Sequence, residues 1–253
     1  MASIERDGYC IAYEVHGSGR PVLLLHGVTV SFVGNYAAWG WIQRLNAAGC
    51  QVIGMDFRGH GRSDKPHDPA AYGSEKLAGD ALALLDHLGH ERVSVVGYSM
   101  GSIIALDLLR RAPERFGPSV LMATGDGLVG HPPYTVHEVG SQLQRALMRE
   151  AFPADLPPHV AAYWNFAEKV GGDRLAALAA IRADYPPCPP EAAAAIEVPV
   201  LVVSGEADPV LGRGPRLAQC LGAGRYVEIP GAGHFELCQL DSALAEVVSF
   251  LSA

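Results

Sequence analysis

The chain has 253 residues, 49% of them hydrophobic, and a formal net charge of −8 at pH 7, enough for one α/β domain with a sizeable core and an insertion. The acidic balance argues against a nucleic-acid partner and an anionic membrane surface, and its five scattered cysteines, with no C-x-x-C pair, read as reduced buried thiols. The first residues lack an apolar segment and no apolar run reaches membrane-spanning length, so neither a signal peptide nor membrane insertion is expected, and a cytoplasmic location is.

In chain order, residues 4–6 and 9–15 read as antiparallel strands joined at Asp7-Gly8, a strong hairpin signal. Residues 21–25 form a continuous apolar run, as expected of a strand buried on both faces. It leads into His26-Gly27-Val28. A helix is predicted over 37–48, closed by Gly49, and a strand over 51–55 that ends in the polar loop from Asp56 to Asp64. Leu77, Ala81, Leu84, Leu85 and Leu88 recur at helical spacing, which predicts a helix over 74–88 with Ser74 as N-cap and Gly89 as stop. A strand follows over 92–96, then a helix from Met100, then a strand over 119–123. From 128 to 196 there are no strand signals; proline pairs separate helices predicted over 135–151, 158–170 and 173–184. The alternation resumes with a strand over 198–204, a helix over 215–221, a strand over 225–229 and a last helix to Leu251. Such alternation gives a mostly parallel sheet covered on both faces. Ligands then sit beyond the carboxyl ends of the strands.

The loop Gly97-Tyr98-Ser99-Met100-Gly101 joins a strand directly to a helix. A turn that tight strains its apex and needs small residues on both sides, and it leaves Ser99 at the positive end of a helix. This is the G-x-S-x-G elbow in its strand–turn–helix context. A serine hydroxyl needs a base, a group to orient that base, and an oxyanion site. His234, in Gly231-Ala-Gly-His234-Phe235 after the last strand, is the expected base. Asp208, in Gly205-Glu-Ala-Asp208-Pro209, is the expected orienting acid, with Glu206 solvating the loop. Asp126 also follows a strand end; it competes for the acid role and otherwise belongs near the mouth of the site. The backbone N–H groups of Val28 and Met100 are expected to bind the oxyanion. His26 is read as bonding neighbouring backbone.

Together, His26-Gly27, the Asp56–Asp64 loop, the elbow, Gly205-Glu-Ala-Asp208-Pro209 and Gly231-Ala-Gly-His234 resemble the α/β-hydrolases of the compact bacterial esterase, haloperoxidase-like or lactonase-like sort. The order Ser99, Asp208, His234 is the order that family uses. The resemblance implies an eight-stranded, mostly parallel sheet flanked by helices, with a small helical lid inserted after the sixth strand. Residues 1–127 and 197–253 would form the core and 128–196 the lid. Haloalkane dehalogenases and epoxide hydrolases of this family carry an aspartate where this chain has Ser99, so an alkyl-enzyme ester is not expected. The Asp56–Asp64 loop is scaffolding in the family, and Arg58, His60, Arg62 and Asp64 should form a satisfied polar network under the oxyanion loop. Lid residues Tyr134 and Trp164, with Tyr163 and Phe166, are candidates for an apolar substrate pocket. His131, His137 and His159 lack metal-ligand spacing, so no metal or cofactor is expected. The implied function is a serine hydrolase acting on a small carboxylic ester through an acyl-enzyme. Lactone opening, perhydrolysis and carbon–carbon hydrolysis use the same triad; a slow-turnover ligand-binding protein is the alternative from another class.

Overall fold

Asp7 and Gly8 both take positive φ, +54° and +80°, and so turn strand β1 (Ala2–Arg6) back onto β2 (Tyr9–His16) in antiparallel register. The structure is a computed structural model that describes residues 2–130, 136–148, 161 and 173–253. The remaining strands are β3 (Arg20–Leu25), β4 (Cys50–Met55), β5 (Ser94–Tyr98), β6 (Ser119–Met122), β7 (Val200–Gly205) and β8 (Gly224–Ile229). They make one eight-stranded sheet in the order β1-β2-β4-β3-β5-β6-β7-β8, parallel from β4 through β8.

Alternate residues of each central strand enter opposite cores. Leu23, Leu25, Val95 and Leu121 pack with helices α3 (Ser74–His87) and α4 (Met100–Arg111), through residues such as Leu77, Leu84, Ile104 and Leu108. Val22, Leu24, Val96 and Val120 face the other way, toward Phe32, Tyr36, Trp41, Leu45 and the C-terminal helix. Two buried faces explain why these strands read as unbroken apolar runs.

The helix predicted over 37–48 is interrupted. A short α1 (Phe32–Asn35) precedes it, and Gly40 at φ +79° divides the predicted segment into a 3₁₀ turn (Ala37–Trp39) and α2 (Trp41–Ala47). The elbow strand lies two residues later than predicted, because Val93 makes only an isolated bridge to Phe116. Ser74 opens α3 rather than capping it; Gly73 (φ +97°) occupies the cap position, and the Ser74 N–H donates to Asp184 O at 3.1 Å.

After β6 the described chain is helical at α5 (Val136–Leu147), α6 (Arg174–Arg182) and α7 (Pro190–Ala194). Asp173 caps α6 through Oδ1, which accepts from the N–H groups of Leu175 and Ala176. Helices α8 (Pro215–Cys220) and α9 (Asp241–Ser252) complete the chain. The helix predicted over 158–170 lies outside the described residues, apart from the single residue 161. The cysteine reading needs correction: Cys10 is exposed and Cys220 half-buried, and only Cys50, Cys188 and Cys238 are buried.

The polar loop after β4 divides its partners instead of forming one network. Arg58 and Asp80 are both fully buried and paired through two hydrogen bonds, one of them Nε to Oδ2 at 2.7 Å. Arg58 also donates to Ala71 O at 2.9 Å and lies over the Tyr9 ring. It therefore ties the loop to α3 and the first hairpin, away from the oxyanion loop. Burial raises the pKa of Asp80 even against the pull of Arg58. Arg62 instead reaches Asp56 and Glu14, and Asp64 accepts the Cys10 N–H at 2.8 Å. His60 keeps Nδ1 3.1 Å from Arg58 O, while its Nε2 is buried without a partner.

Asp80→Ala should lower stability by about 3–5 kcal/mol, because it strands the Arg58 guanidinium in the core. Urea unfolding measures this; a variant as stable as the parent would contradict the assignment.

Candidate active site

Strand β5 ends at Tyr98 and α4 begins at Met100, so Ser99 makes the whole turn alone. Its backbone lies at φ +54°, ψ −114°, a conformation that L-residues rarely adopt and that the surroundings must impose. The Ser99 N–H is held by Met122 O at 2.9 Å, and Ser102 Oγ lies 2.9 and 2.7 Å from the carbonyls of Gly97 and Met122. A Cβ on Gly97 would stand 2.3 Å from Gly101 O, and one on Gly101 would stand 2.1 Å from Leu25 O. Both positions therefore admit only glycine.

His234 and Asp208 arrive from two neighbouring loops that are clamped together. Ala207 N–H donates to Ala232 O at 2.9 Å, and Glu206 N–H donates to Ile229 O at 3.0 Å. Glu206 also accepts the Gly231 N–H at 2.8 Å, so it braces the loop pair. Gly205 permits this approach, since its Cβ would fall 2.3 Å from Ala232 O. The result is a buried chain of hydrogen bonds. Asp208 Oδ2 lies 2.7 Å from His234 Nδ1, and His234 Nε2 lies 3.0 Å from Ser99 Oγ. Asp208 Oδ1 accepts the N–H groups of Val210 and Leu211 at 2.7 and 3.1 Å. Burial acts to raise the Asp208 pKa, but the His234 ring and these hydrogen bonds outweigh it and hold the carboxyl below its ordinary value. With a charged acceptor at Nδ1, the imidazole keeps a proton there and leaves Nε2 facing the serine.

One positioning contact had no signal in the sequence. The Tyr98 hydroxyl donates to His234 O, across a separation of 136 residues. Tyr98 therefore links the elbow to the histidine loop; burial pushes its own pKa well up.

The loop after β3 is pinned at both ends of Gly27. Asn35 Oδ1 accepts the Gly27 N–H at 2.9 Å. His26 Nε2 accepts the Phe57 N–H at 3.0 Å, so its proton is on Nδ1, 2.7 Å from Gly27 O. Because a trans peptide is planar, holding the Gly27 carbonyl toward His26 turns the Val28 N–H the other way. Burial lowers the His26 pKa, opposed by Asp56 and the Gly27 carbonyl, in keeping with a neutral ring that accepts from Phe57. Met100 N–H opens α4 with no preceding helical turn to donate into.

Two pockets meet at Ser99 and Val28. The first also holds His234, Thr29, Trp39 and Phe235; the second holds Met100, Ile103, Leu143, Ile181 and Leu211. Asp126 lines neither. Its Oδ1 accepts the N–H groups of Arg216 and Leu217, both at 2.9 Å, so it sits at the start of α8. The expected place of Asp126 at the mouth of the site is corrected accordingly: its carboxylate is engaged by α8, while Asp208 is the carboxylate bonded to His234. Tyr134 and Trp164, like Tyr163, Phe166, His131 and His159, lie outside the described residues, as does the side chain of His137. Among the described residues, no group of three or more His, Cys, Asp or Glu could hold a metal ion, and no helix is long and apolar enough to cross a membrane.

A parallel sheet with a strained serine at a strand–helix elbow, facing a histidine–aspartate pair across the carboxyl edge, defines a class of fold and site. The chain belongs to the alpha/beta hydrolase fold family, whose model matches residues 20–168. A solved hydrolase from Pseudomonas aeruginosa PA01 is similar over 100% of this chain and 98% of its own, at 25% identity and a TM-score of 0.80. The enol-lactonase of Burkholderia xenovorans LB400 is similar over 100% of both chains, at 26% identity and a TM-score of 0.76. By sequence, epoxide hydrolase 3 of Siraitia grosvenorii is 37% identical over 114 residues, 45% of this chain and 35% of that protein. The chain spans only 33% to 43% of the length of the curated relatives it matches.

Gly205→Ala should push apart the loops that carry Asp208 and His234, at a cost of about 1–3 kcal/mol in folding free energy. Thermal unfolding and a crystal structure check this; an unchanged Tm with the loops still in contact would contradict it.

Proposed function

We propose that the protein is a serine hydrolase of small carboxylic esters. The observation that carries this reading is the buried hydrogen-bond chain Asp208–His234–Ser99. Ser99 Oγ attacks the ester carbonyl while His234 Nε2 takes its proton. Asp208 keeps the imidazole in the required tautomer and stabilises its cation. The N–H groups of Val28 and Met100 receive the developing oxyanion. The proton on Nε2 then passes to the departing alkoxide, leaving an acyl group on Ser99. Water repeats the sequence, with His234 again as base, and releases the acid.

The two pockets divide the substrate between them. The leaving oxygen must lie beside His234 Nε2 to be protonated, so the alcohol half belongs in the pocket that contains His234. The acyl half belongs against Met100, Ile103, Leu143, Ile181 and Leu211, an apolar surface. Within the segment 128–196 expected to form a lid, Leu143 and Ile181 line the acyl side. Hydrolysis of an epoxide through an alkyl-enzyme ester needs a carboxylate nucleophile, and residue 99 is a hydroxyl. Lactones are the second reading, favoured by the likeness to the enol-lactonase over both full chains. Their ring opening needs the same steps with the alcohol tethered.

A p-nitrophenyl ester series from acetate to decanoate, with a set of simple lactones, should give turnover with Ser99→Ala lower by about 10⁴-fold or more. Full activity in Ser99→Ala would remove the proposal. Asp208→Asn should lose about 10³–10⁴ in kcat by stabilising the wrong imidazole tautomer, whereas Asp126→Asn should stay within a few-fold of the parent. The opposite ranking would move the acid to Asp126. Because the Asp208 carboxyl is held below its ordinary value, it stays charged from about pH 5 upward. Protonation of Asp208 should therefore cost no activity above about pH 5, and an acidic loss above pH 5 that tracks protonation of the Asp208 carboxyl, followed by NMR titration, would contradict this.

A further inference from the structure

Thr29 follows Val28 in the oxyanion loop and lines the pocket that holds Ser99 and His234. Four non-glycine residues of the described chain have positive φ: Asp7, Thr29, Ser99 and Ala123. Asp7 makes the hairpin turn and Ser99 the elbow. Thr29, at φ +63°, is the β-branched member of the group, where the conformation is most unfavourable. Strain of this kind persists only where the surroundings impose it, and it concentrates at binding and catalytic sites.

A second observation is independent of the backbone. Thr29 is buried, and its Oγ1 has no hydrogen-bond partner in the protein. Buried hydroxyls are almost always bonded. Each of the other polar side chains of this pocket, apart from Ser99 and His234, makes at least one bond to backbone, including Tyr98 to His234 O and Trp39 to Gly34 O. Asn35 Oδ1 holds the Gly27 N–H, and Gln239 Nε2 and Cys238 Sγ donate to Phe235 O. Val30, Trp39 and Phe235 supply apolar surface around them. A turn about χ1 exchanges the threonine hydroxyl and methyl without moving the backbone.

We propose that the Thr29 hydroxyl determines specificity by bonding an oxygen in the alcohol half of the substrate. The substrate class is then an ester, open or cyclic, whose alcohol carries an ether, hydroxyl or carbonyl oxygen a few bonds from the ester oxygen. A site whose buried hydroxyl is met only by such a substrate discriminates against the plain alkyl analogue that leaves it unmet. This rests on the reading of Ser99 as nucleophile and of the His234 pocket as the alcohol side.

The test compares two isosteric pairs. 2-Ethoxyethyl butanoate and pentyl butanoate place an oxygen or a methylene on the alcohol side, followed by pH-stat. p-Nitrophenyl 3-methoxypropanoate and pentanoate do the same on the acyl side. The ratio of kcat/KM within each pair is measured for the parent and for Thr29→Val and Thr29→Ser, so that the intrinsic reactivities of the esters cancel between proteins. Thr29→Val should lower the alcohol-side ratio by about three- to tenfold, the size of one neutral hydrogen bond, and Thr29→Ser should restore it. The acyl-side ratio should be the same in all three. If Thr29→Val does not fold, Thr29→Ala reads the same ratio. An unchanged alcohol-side ratio, an equal fall on both members of the pair, or a change on the acyl-side pair instead would each overturn the proposal. Failure of the parent to turn over any of the four esters would instead remove the serine-hydrolase reading beneath it.

Discussion

Ser99 holds its place by a backbone conformation that the chain would not choose on its own. One residue at φ +54° reverses the path from β5 to α4, and three close approaches keep it there. Gly97 lies against Gly101, Gly101 against the carboxyl end of β3, and Ser102 bonds back to Gly97 and Met122. None of these contacts survives a larger residue or a shifted register between β3, β5 and β6. The sheet thus serves as the frame that stores the strain, and Ser99 is held beyond its carboxyl edge, against His234.

The same economy governs the histidine side. His234 lies on a loop with little regular structure, and three neighbours fix it: Asp208 through Nδ1, Tyr98 through its carbonyl, and the β7 loop through Ala232. Asp208 is itself held by two backbone N–H groups. Each member of the chain from Asp208 to Ser99 is therefore positioned by contacts other than those it makes within the chain. Such support lets a hydroxyl and an imidazole meet at 3.0 Å without depending on substrate to draw them together.

Much of this was legible in the sequence because the signals are local. Alternating apolar runs define the central strands, and the elbow motif lies directly between one of them and a helix. His234 and Asp208 follow the last two strands in glycine-bearing loops. The choice between Asp208 and Asp126 was not local: both follow strand ends, and only the approach of α8 shows Asp126 occupied at the start of that helix. The Tyr98–His234 bond and the Gly205–Ala232 contact depend on strand register, which pairs residues far apart in the chain. Gly40 broke a predicted helix because an interior glycine can stay helical or turn left-handed, and the chain around it does not say which. Arg58 was assigned to the wrong partners for a similar reason, since its buried mate Asp80 shares the apolar face of α3 with Leu77, Ala81 and Leu84 and meets Arg58 through tertiary packing.

The most direct test of the account is covalent. A fluorophosphonate should add once per chain, to Ser99, as seen by intact mass and peptide mapping, and the rate should fall by orders of magnitude in His234→Gln. No adduct, an adduct on another residue, or labelling at an undiminished rate without the imidazole would contradict the claim that Ser99 is the nucleophile and His234 its base.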